Sequence, residues 1–260
     1  MSSINNIKLS FIESKFDDFR DKLKDLSSID DIIKLKISKE RIFMYSLVTN
    51  GHAVLSLKSY VLQTSDYINN LDDDYIYDFI IGSSKKFVKS LSFFNSSSKI
   101  NLTIHAKKSI GKDYVMEVRS GLFTNSRLKI SQIGLEPYKI RDIEYEQMEN
   151  MLNVDNCQWK FTMSISDFND VKKLSAINSD NNIIDINVLN GKVMISESSN
   201  WELEIDKTDE NVNNKITFVK KYLSNIDTDV EFIDFLIFNT FILIKNKNSN
   251  LMMSFETNFE

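Results

Sequence analysis

The chain has 260 residues, with 32 Lys and Arg against 37 Asp and Glu, so its formal net charge is −5. This length suits one large domain or two of ordinary size, and 42% hydrophobic residues is the composition of a folded globular protein. No apolar run approaches the roughly 18 residues of a membrane-spanning helix, and a single cysteine, Cys157, excludes a disulfide framework and a cysteine-based zinc site.

Strand-like and helix-like segments follow one another in a repeating order. Apolar residues recur at helical spacing in four short segments, at 12–26, 87–94, 168–174 and 219–226. Period-two alternation, bounded by turn-forming Asn, Asp and Ser clusters, predicts four strands around each helix. These strands are 7–12, 32–37, 41–48 and 53–62; 75–81, 99–106, 113–119 and 126–133; 158–165, 183–188, 192–197 and 201–206; and 214–218, 230–237, 240–245 and 250–256. The sequence therefore predicts an α+β fold made of four βαβββ units.

The four units group into two similar domains. A Leu-Ser-x-Ile string occurs at 26–29 and again at 174–177, and a Lys-Lys-aromatic string occurs at 85–87 and at 220–222. Periodicity fades between 134 and 157, where the only proline, Pro137, precedes a charged run. We therefore expect an N-terminal domain over 1–135, a connector over 136–157 and a C-terminal domain over 158–260.

Positive charge is concentrated in one segment, although the net acidity of the whole chain argues against a nucleic-acid partner. Residues 79–112 contain no acidic residue and seven lysines, so this segment carries +7 and the remainder carries −12. On the second predicted helix, Lys85 and Lys89 fall opposite Phe87 and Leu91 at about 100° per residue. Lysine pairs also lie on the third and fourth predicted helices, at Lys172–Lys173 and Lys220–Lys221. Such faces favour binding of phosphate groups through charge, without reading base sequence.

The residue types that carry enzyme chemistry are sparse. His52 and His105 are isolated, and the chain has no phosphate-binding loop, dinucleotide fingerprint or HExxH motif. Cys157 has no activating base near it in sequence, and the aspartate run 72–74 is typical of a solvated turn. We therefore expect no catalytic residues, no metal and no cofactor.

The overall pattern resembles that of DNA polymerase sliding clamps (processivity factors) of the two-domain phage and eukaryotic type. The stretches that carry the resemblance lie mainly in the second half, at 161–168, 183–188, 190–196, 216–223 and 251–256. As architecture the resemblance covers nearly the whole chain, and it rests on pattern and not on a single motif.

The resemblance implies a homotrimeric ring of six domains around double-stranded DNA, with DNA polymerase and a clamp loader as partners. It places the helices at the hole, with DNA-facing charge on Lys15, Arg20, Lys22, Lys24, Lys85, Lys86, Lys89, Lys172, Lys173, Lys220 and Lys221. It also implies a groove for a partner peptide, to which Leu135, Tyr138 and Phe255 are candidate contributors. These three residues are equally well explained as ordinary core or loop residues.

Two features of the chain depart from the family pattern. The first predicted helix mixes its basic residues with Asp17, Asp18, Asp21 and Asp25, so its sequence does not define a basic face. The predicted connector is also long. Two other functions fit the same features, a clamp-like transcription accessory factor and a virion or scaffold β-protein with a basic protein-binding face.

The sequence also gives expectations about location and origin. Its first residues lack the apolar core of a signal peptide, so we expect a cytoplasmic protein. The chain has only three Ala, six Gly and one Pro, which indicates an AT-rich genome such as that of many phages. In that case the location would be the host cytoplasm.

Overall fold

A computed structural model of the chain describes residues 6–11, 15–50, 53–71, 77–92, 94, 100–105, 113–120, 128–134, 153–177, 182–197, 200–207, 214–226, 228, 230–245 and 249–254. The first half of the chain forms β1 (Asn6–Phe11), α1 (Lys15–Ile29), β2 (Ile33–Ile37), β3 (Arg41–Asn50), β4 (Ala53–Gln63), β5 (Tyr67–Asn69), β6 (Tyr77–Ile81), α2 (Ser84–Leu91), β7 (Ile100–His105), β8 (Asp113–Ser120) and β9 (Leu128–Gly134).

The second half opens with a 3₁₀ turn at Val154–Asn156. It continues through β10 (Trp159–Ser164), α3 (Ile165–Ile177), β11 (Ile183–Leu189), β12 (Lys192–Glu197), β13 (Trp201–Lys207), β14 (Asn214–Val219), a 3₁₀ helix (Lys220–Asn225), β15 (Phe232–Ile237), β16 (Phe241–Lys245) and β17 (Asn250–Ser254). The predicted α+β class is confirmed, and each predicted strand is present within two residues of its expected bounds.

Two local predictions differ from the structure. The three-residue strand β5 was not predicted, because so short a segment shows no alternation. The fourth predicted helix is a six-residue 3₁₀ helix and not an α-helix. Val219, which precedes it, keeps an extended backbone and provides no side-chain cap, and Ile226 is extended again after it. A segment of this length is typical of 3₁₀ helices, which are usually short.

Strand pairing follows the same scheme in both halves. In the first half, β1 pairs with β7 and β2 pairs with β6, all antiparallel. In the second half, β10 pairs with β15 and β11 pairs with β14, again antiparallel. In each half, the first strand of one βαβββ unit therefore pairs with the second strand of the other unit. The repeat expected from the sequence is thus present in the topology.

The chain divides into two compact units, Met1–Leu47 with Ser59–Ile140 and Val48–Lys58 with Arg141–Glu260. The first contains the sheet β5-β1-β7-β8-β9 and the strand order β4-β3-β2-β6. The second contains the sheet β13-β12-β11-β14 and the strand order β10-β15-β16-β17. The first part of β4 is the next strand beside β17. Most of the predicted connector, including residues 136–152, lies outside the described residues, so the predicted domain bounds stay a prediction.

The core of the first unit is built around α1. Its apolar residues Phe16, Phe19, Leu23 and Leu26 are buried at the helical spacing expected from the sequence. The Phe19 ring stacks on that of Phe11 from β1, with centroids 4.9 Å apart. This contact fixes the rotation of α1 against the sheet.

The second unit has its own aromatic core. Trp159 and Phe161 of β10 stack at 5.8 Å between ring centroids, and Phe161 stacks on Phe235 of β15 at 4.7 Å. Phe168 and Val171 are buried and form the inner side of α3. The turn between β11 and β12 uses Asn190 and Gly191 at φ 52° and 75°, a backbone region that these two residue types tolerate.

A buried ion pair joins several elements of the second unit. The Glu197 side chain at the end of β12 is 0% exposed, and the Lys220 side chain is 12% exposed. The Lys220 Nζ lies 2.8 Å from Glu197 Oε1 and donates to the Ser175 carbonyl of α3 at 2.9 Å. Trp201 Nε1 donates to the second Glu197 oxygen at 2.9 Å. Both carboxylate oxygens are therefore satisfied without water.

Removing the Phe19 ring should destabilise the first unit. A Phe19→Ala substitution leaves a cavity beside Phe11, so we expect the free energy of unfolding to fall by about 3 to 5 kcal/mol. Urea unfolding followed by circular dichroism measures this. Lys24→Ala, at an exposed position of the same helix, should change it by less than about 0.5 kcal/mol. A decrease below about 1 kcal/mol for Phe19→Ala would contradict the described packing.

Breaking the buried ion pair should cost far more than breaking an exposed one. Lys220→Met leaves the Glu197 carboxylate buried without its cation, and we expect a loss of about 3 kcal/mol in the free energy of unfolding. The matched control is Lys173→Met, which breaks the exposed Lys173–Asp170 pair and should cost less than about 1 kcal/mol. Adding Glu197→Gln to Lys220→Met should recover part of the stability. Equal effects of the two lysine variants would show that burial of the pair is unimportant.

Candidate nucleic-acid interface

The helix α2 presents three lysines to solvent. Phe87, Val88 and Leu91 are buried in the core of the first unit, and this sets the rotation of the helix. Its first turn is held in place by Asp31, whose Oδ1 accepts from the Lys85 backbone N–H at 3.3 Å. As a result the side chains on the outer side are exposed, namely those of Lys85, Lys86 and Lys89. The predicted basic side of this helix is thus formed by its packing.

The charge of this face is not neutralised locally. Helix α2 contains no acidic residue, and within the described ranges none of its three ammonium groups makes an ion pair. Lys85 and Lys89 are one turn apart, an arrangement of like charges that costs an isolated helix a few tenths of a kcal/mol. A bound anion would remove this repulsion, so the face suits phosphate groups.

On α1, most basic side chains already have carboxylate partners. The pairs are Lys15 with Asp66 at 2.6 Å, Arg20 with Asp17 at 2.9 Å, and Lys22 with Asp18 at 2.6 Å. The hydrogen bond and charge of Asp66 raise the pKa of Lys15 above its ordinary value, which shows that the ammonium group is stabilised by this carboxylate. Lys24 is the exception, because it is exposed and no carboxylate pairs with it among the described residues.

The two helices of the first unit lie side by side. The Phe16 ring of α1 meets the ring of Phe94, which follows α2, at 6.5 Å between centroids. The Arg20 Nη1 also donates to the Phe94 carbonyl at 3.3 Å. The structure therefore places Arg20 beside the residues that follow α2, whereas Lys15 pairs with Asp66 and the Lys22 ammonium lies 5.9 Å from the centre of the Tyr60 ring of β4.

In the second unit the predicted basic residues are mostly engaged. The Lys172 ammonium lies 5.8 Å from the centre of the Phe168 ring, and Lys173 pairs with Asp170 at 2.9 Å. Lys220 is held in the buried pair with Glu197. The backbone of Lys221 is in the 3₁₀ helix, and its side chain is not described. The hydrogen bond from Lys220 to the Ser175 carbonyl ties this 3₁₀ helix to α3.

Some predicted residues lie outside the described part of the chain. These are the peptide-groove candidates Leu135, Tyr138 and Phe255, and four lysines of the acid-free segment, Lys99, Lys107, Lys108 and Lys112. Their assignments stay predictions.

Sequence reasoning did not find the partners that decide which lysines are available. Asp66 and Glu197 are distant in sequence from Lys15 and Lys220, so no local pattern connects them. The pair of Asp18 with Lys22, in contrast, has the i, i+4 spacing of a helix. Spacing alone could have shown that this cation is neutralised.

The described residues show few features of other kinds of site. Among them no group of three His, Cys, Asp or Glu side chains is arranged to hold a metal ion. Within the same ranges no helix has both the length and the apolar character needed to cross a membrane. Cys157 is a free, half-buried thiol.

Comparison with known proteins gives a result at the level of structure only. No protein-family model matches the sequence, and no curated protein sequence is similar enough to count as a match. Among solved structures, PCNA from Thermococcus kodakaraensis superposes with a TM-score of 0.63 at 13% identity, over 96% of this chain and 100% of that one. Proliferating Cellular Nuclear Antigen from Entamoeba histolytica superposes with a TM-score of 0.61 at 14% identity, over 96% and 99%.

A bacterial clamp superposes as well. The Helicobacter pylori beta clamp, solved with a DNA ligase peptide, gives a TM-score of 0.66 at 14% identity, over 96% of this chain and 66% of that one. At such low identity these likenesses establish the fold and leave the activity open. The chain has the sliding-clamp fold.

Proposed function

We propose that this protein is a DNA sliding clamp, a ring that encircles duplex DNA and tethers the replicative DNA polymerase so that synthesis is processive. The observation that supports this most directly is the exposed, unpaired lysine face of α2 on a chain with the sliding-clamp fold. Neither feature is sufficient alone, because exposed lysines are common and a fold does not determine an activity.

The proposed mechanism is topological. A closed ring keeps DNA inside without gripping it, while lysine–phosphate contacts hold the duplex near the helices. Such contacts depend on charge and not on base sequence, so each can be exchanged for the next phosphate at little cost. The −12 carried outside residues 79–112 would repel DNA from the rest of the surface.

The proposed assembly is a homotrimer. The chain covers all of the Thermococcus PCNA chain and two thirds of the beta clamp chain, and it contains two compact units. Three such chains supply six units, the number that the family resemblance implies for a ring.

The proposed partners bind as peptides. The beta clamp that this chain resembles was solved with a DNA ligase peptide, which supports a peptide-binding role for the fold. We assign a groove with Leu135, Tyr138 and Phe255 to the polymerase and the clamp loader. The cytoplasm, of the host if the gene is a phage gene, is the proposed location.

Retention on DNA should depend on whether the DNA has ends. After loading onto nicked circular DNA, the protein should stay bound through gel filtration at moderate salt, because a ring cannot leave a closed circle. Cutting the circle with a restriction enzyme should release most of it within minutes. Equal retention on circular and linear DNA would contradict encirclement and favour simple surface binding.

Stimulation of polymerase separates the clamp from its closest alternative. We expect the protein to lengthen the products of its cognate DNA polymerase on primed single-stranded circles at a fixed polymerase concentration. A clamp-like transcription accessory factor would instead change the yield of transcripts and leave DNA product length unchanged. Light scattering in the same buffer should give the mass of three chains, whereas a monomer without effect on polymerase would favour a scaffold protein.

A further inference from the structure

We infer that phosphate binding is unevenly distributed over the helices of this chain. On α1, carboxylates weaken, or attenuate, the binding of phosphate by the basic residues of the same helix. The inference rests on the proposed function. The main phosphate-binding groups are Lys85, Lys86 and Lys89 of α2. The cations of α1 and α3 are largely occupied within the protein.

The helix charges show the imbalance. Helix α1 carries four basic and four acidic residues, and α3 carries two of each, so both have a net charge of zero. Helix α2 carries three basic residues and no acidic one, a net charge of +3. A phosphate approaching α2 therefore meets three lysines with no carboxylate on the same helix, whereas on α1 only Lys24 lacks a carboxylate partner among the described residues.

The geometry shows how the attenuation works on α1. The carboxylates of Asp17 and Asp18 lie within 2.9 Å of the cations of Arg20 and Lys22. A phosphate oxygen that reaches either cation must compete with a carboxylate that is already bound to it. The same carboxylate repels the phosphate. Each of these two cations therefore adds little to the affinity for DNA, even though both belong to the same helix pair as α2.

The second unit is attenuated in a similar way. Asp170 holds Lys173, and the Lys220 ammonium is buried against Glu197. Lys172 is half-buried with its ammonium near the Phe168 ring. Before it could bind DNA, Lys173 would have to exchange an exposed carboxylate partner and Lys220 a buried one. Of the lysines described on the helices, those of α2 are thus the main source of phosphate binding.

A salt series distinguishes the helices. Binding of a short fluorescent DNA duplex is measured by anisotropy over a range of NaCl concentrations, for the wild type and for variants whose folding is checked by circular dichroism. The slope of log K against log salt concentration falls by about 0.9 for each phosphate that the protein no longer neutralises. We expect Lys85→Ala with Lys86→Ala and Lys89→Ala to reduce it by up to about 2.7 per chain, and Lys172→Ala with Lys173→Ala to reduce it by less than about 0.9.

Neutralising the attenuating carboxylates should have the opposite effect. Asp17→Asn with Asp21→Asn removes both carboxylate partners of Arg20, and should tighten binding and raise the slope by up to about 0.9 per chain. The charge-matched control is Glu202→Gln with Glu231→Gln, which removes the same number of carboxylates at exposed positions of the second unit that make no ion pair among the described residues. It should leave the slope within experimental error of the wild type.

The outcomes separate this inference from the proposed function. The inference is overturned if the α3 variant weakens binding as much as the α2 variant, or if the α1 carboxylate variant binds no more tightly than its control. Either result leaves the clamp itself standing when the wild type still shows end-dependent retention on DNA. A wild type that binds no duplex even at low salt would overturn the inference, and a wild type without end-dependent retention would overturn the clamp.

Discussion

The structure depends on the exchange of strands between neighbouring βαβββ units. Because β1 pairs with β7 and β2 pairs with β6, each helix of the first unit connects the same two sets of strands. Helix α1 leads from one set to the other, and α2 leads back. The helices are thereby brought side by side, and the packing of Phe16 on Phe94 follows from this arrangement. If all the strands formed one continuous sheet, the two helices would not have to lie side by side.

Much of this architecture could be predicted because several strands, such as β2 and β10, alternate between buried residues and more exposed ones. Alternating segments such as Ile183–Leu189 and Lys192–Glu197 are long enough for a period of two to be visible. The fourth helical segment was misjudged for the opposite reason. Six residues span less than two turns of an α-helix, so apolar spacing cannot distinguish it from a 3₁₀ helix. Strand order was also beyond sequence reasoning, since pairing joins residues far apart in the chain.

The candidate interface was predictable only in part. The exposure of the α2 lysines follows from the burial of Phe87 and Leu91, which sequence periodicity already indicates. The availability of the other cations depends on partners that are brought close only by folding, as Asp66 is to Lys15. A charge count along the sequence treats a paired and an unpaired lysine alike. The structure distinguishes paired from unpaired lysines, and among the described residues of the helices the unpaired ones are concentrated on α2.

The β3–β4 hairpin has a consequence for how the chain is made. Its tip, Val48–Lys58, belongs to the second unit, where the start of β4 lies beside β17 at Asn250–Ser254. About 190 residues of sequence separate these neighbours, so during synthesis the tip leaves the ribosome long before its partner strand exists. Closing so long a loop is slow. The second unit can therefore be completed only after Asn250–Ser254 has been synthesised, with an unpaired strand edge exposed to other chains until then.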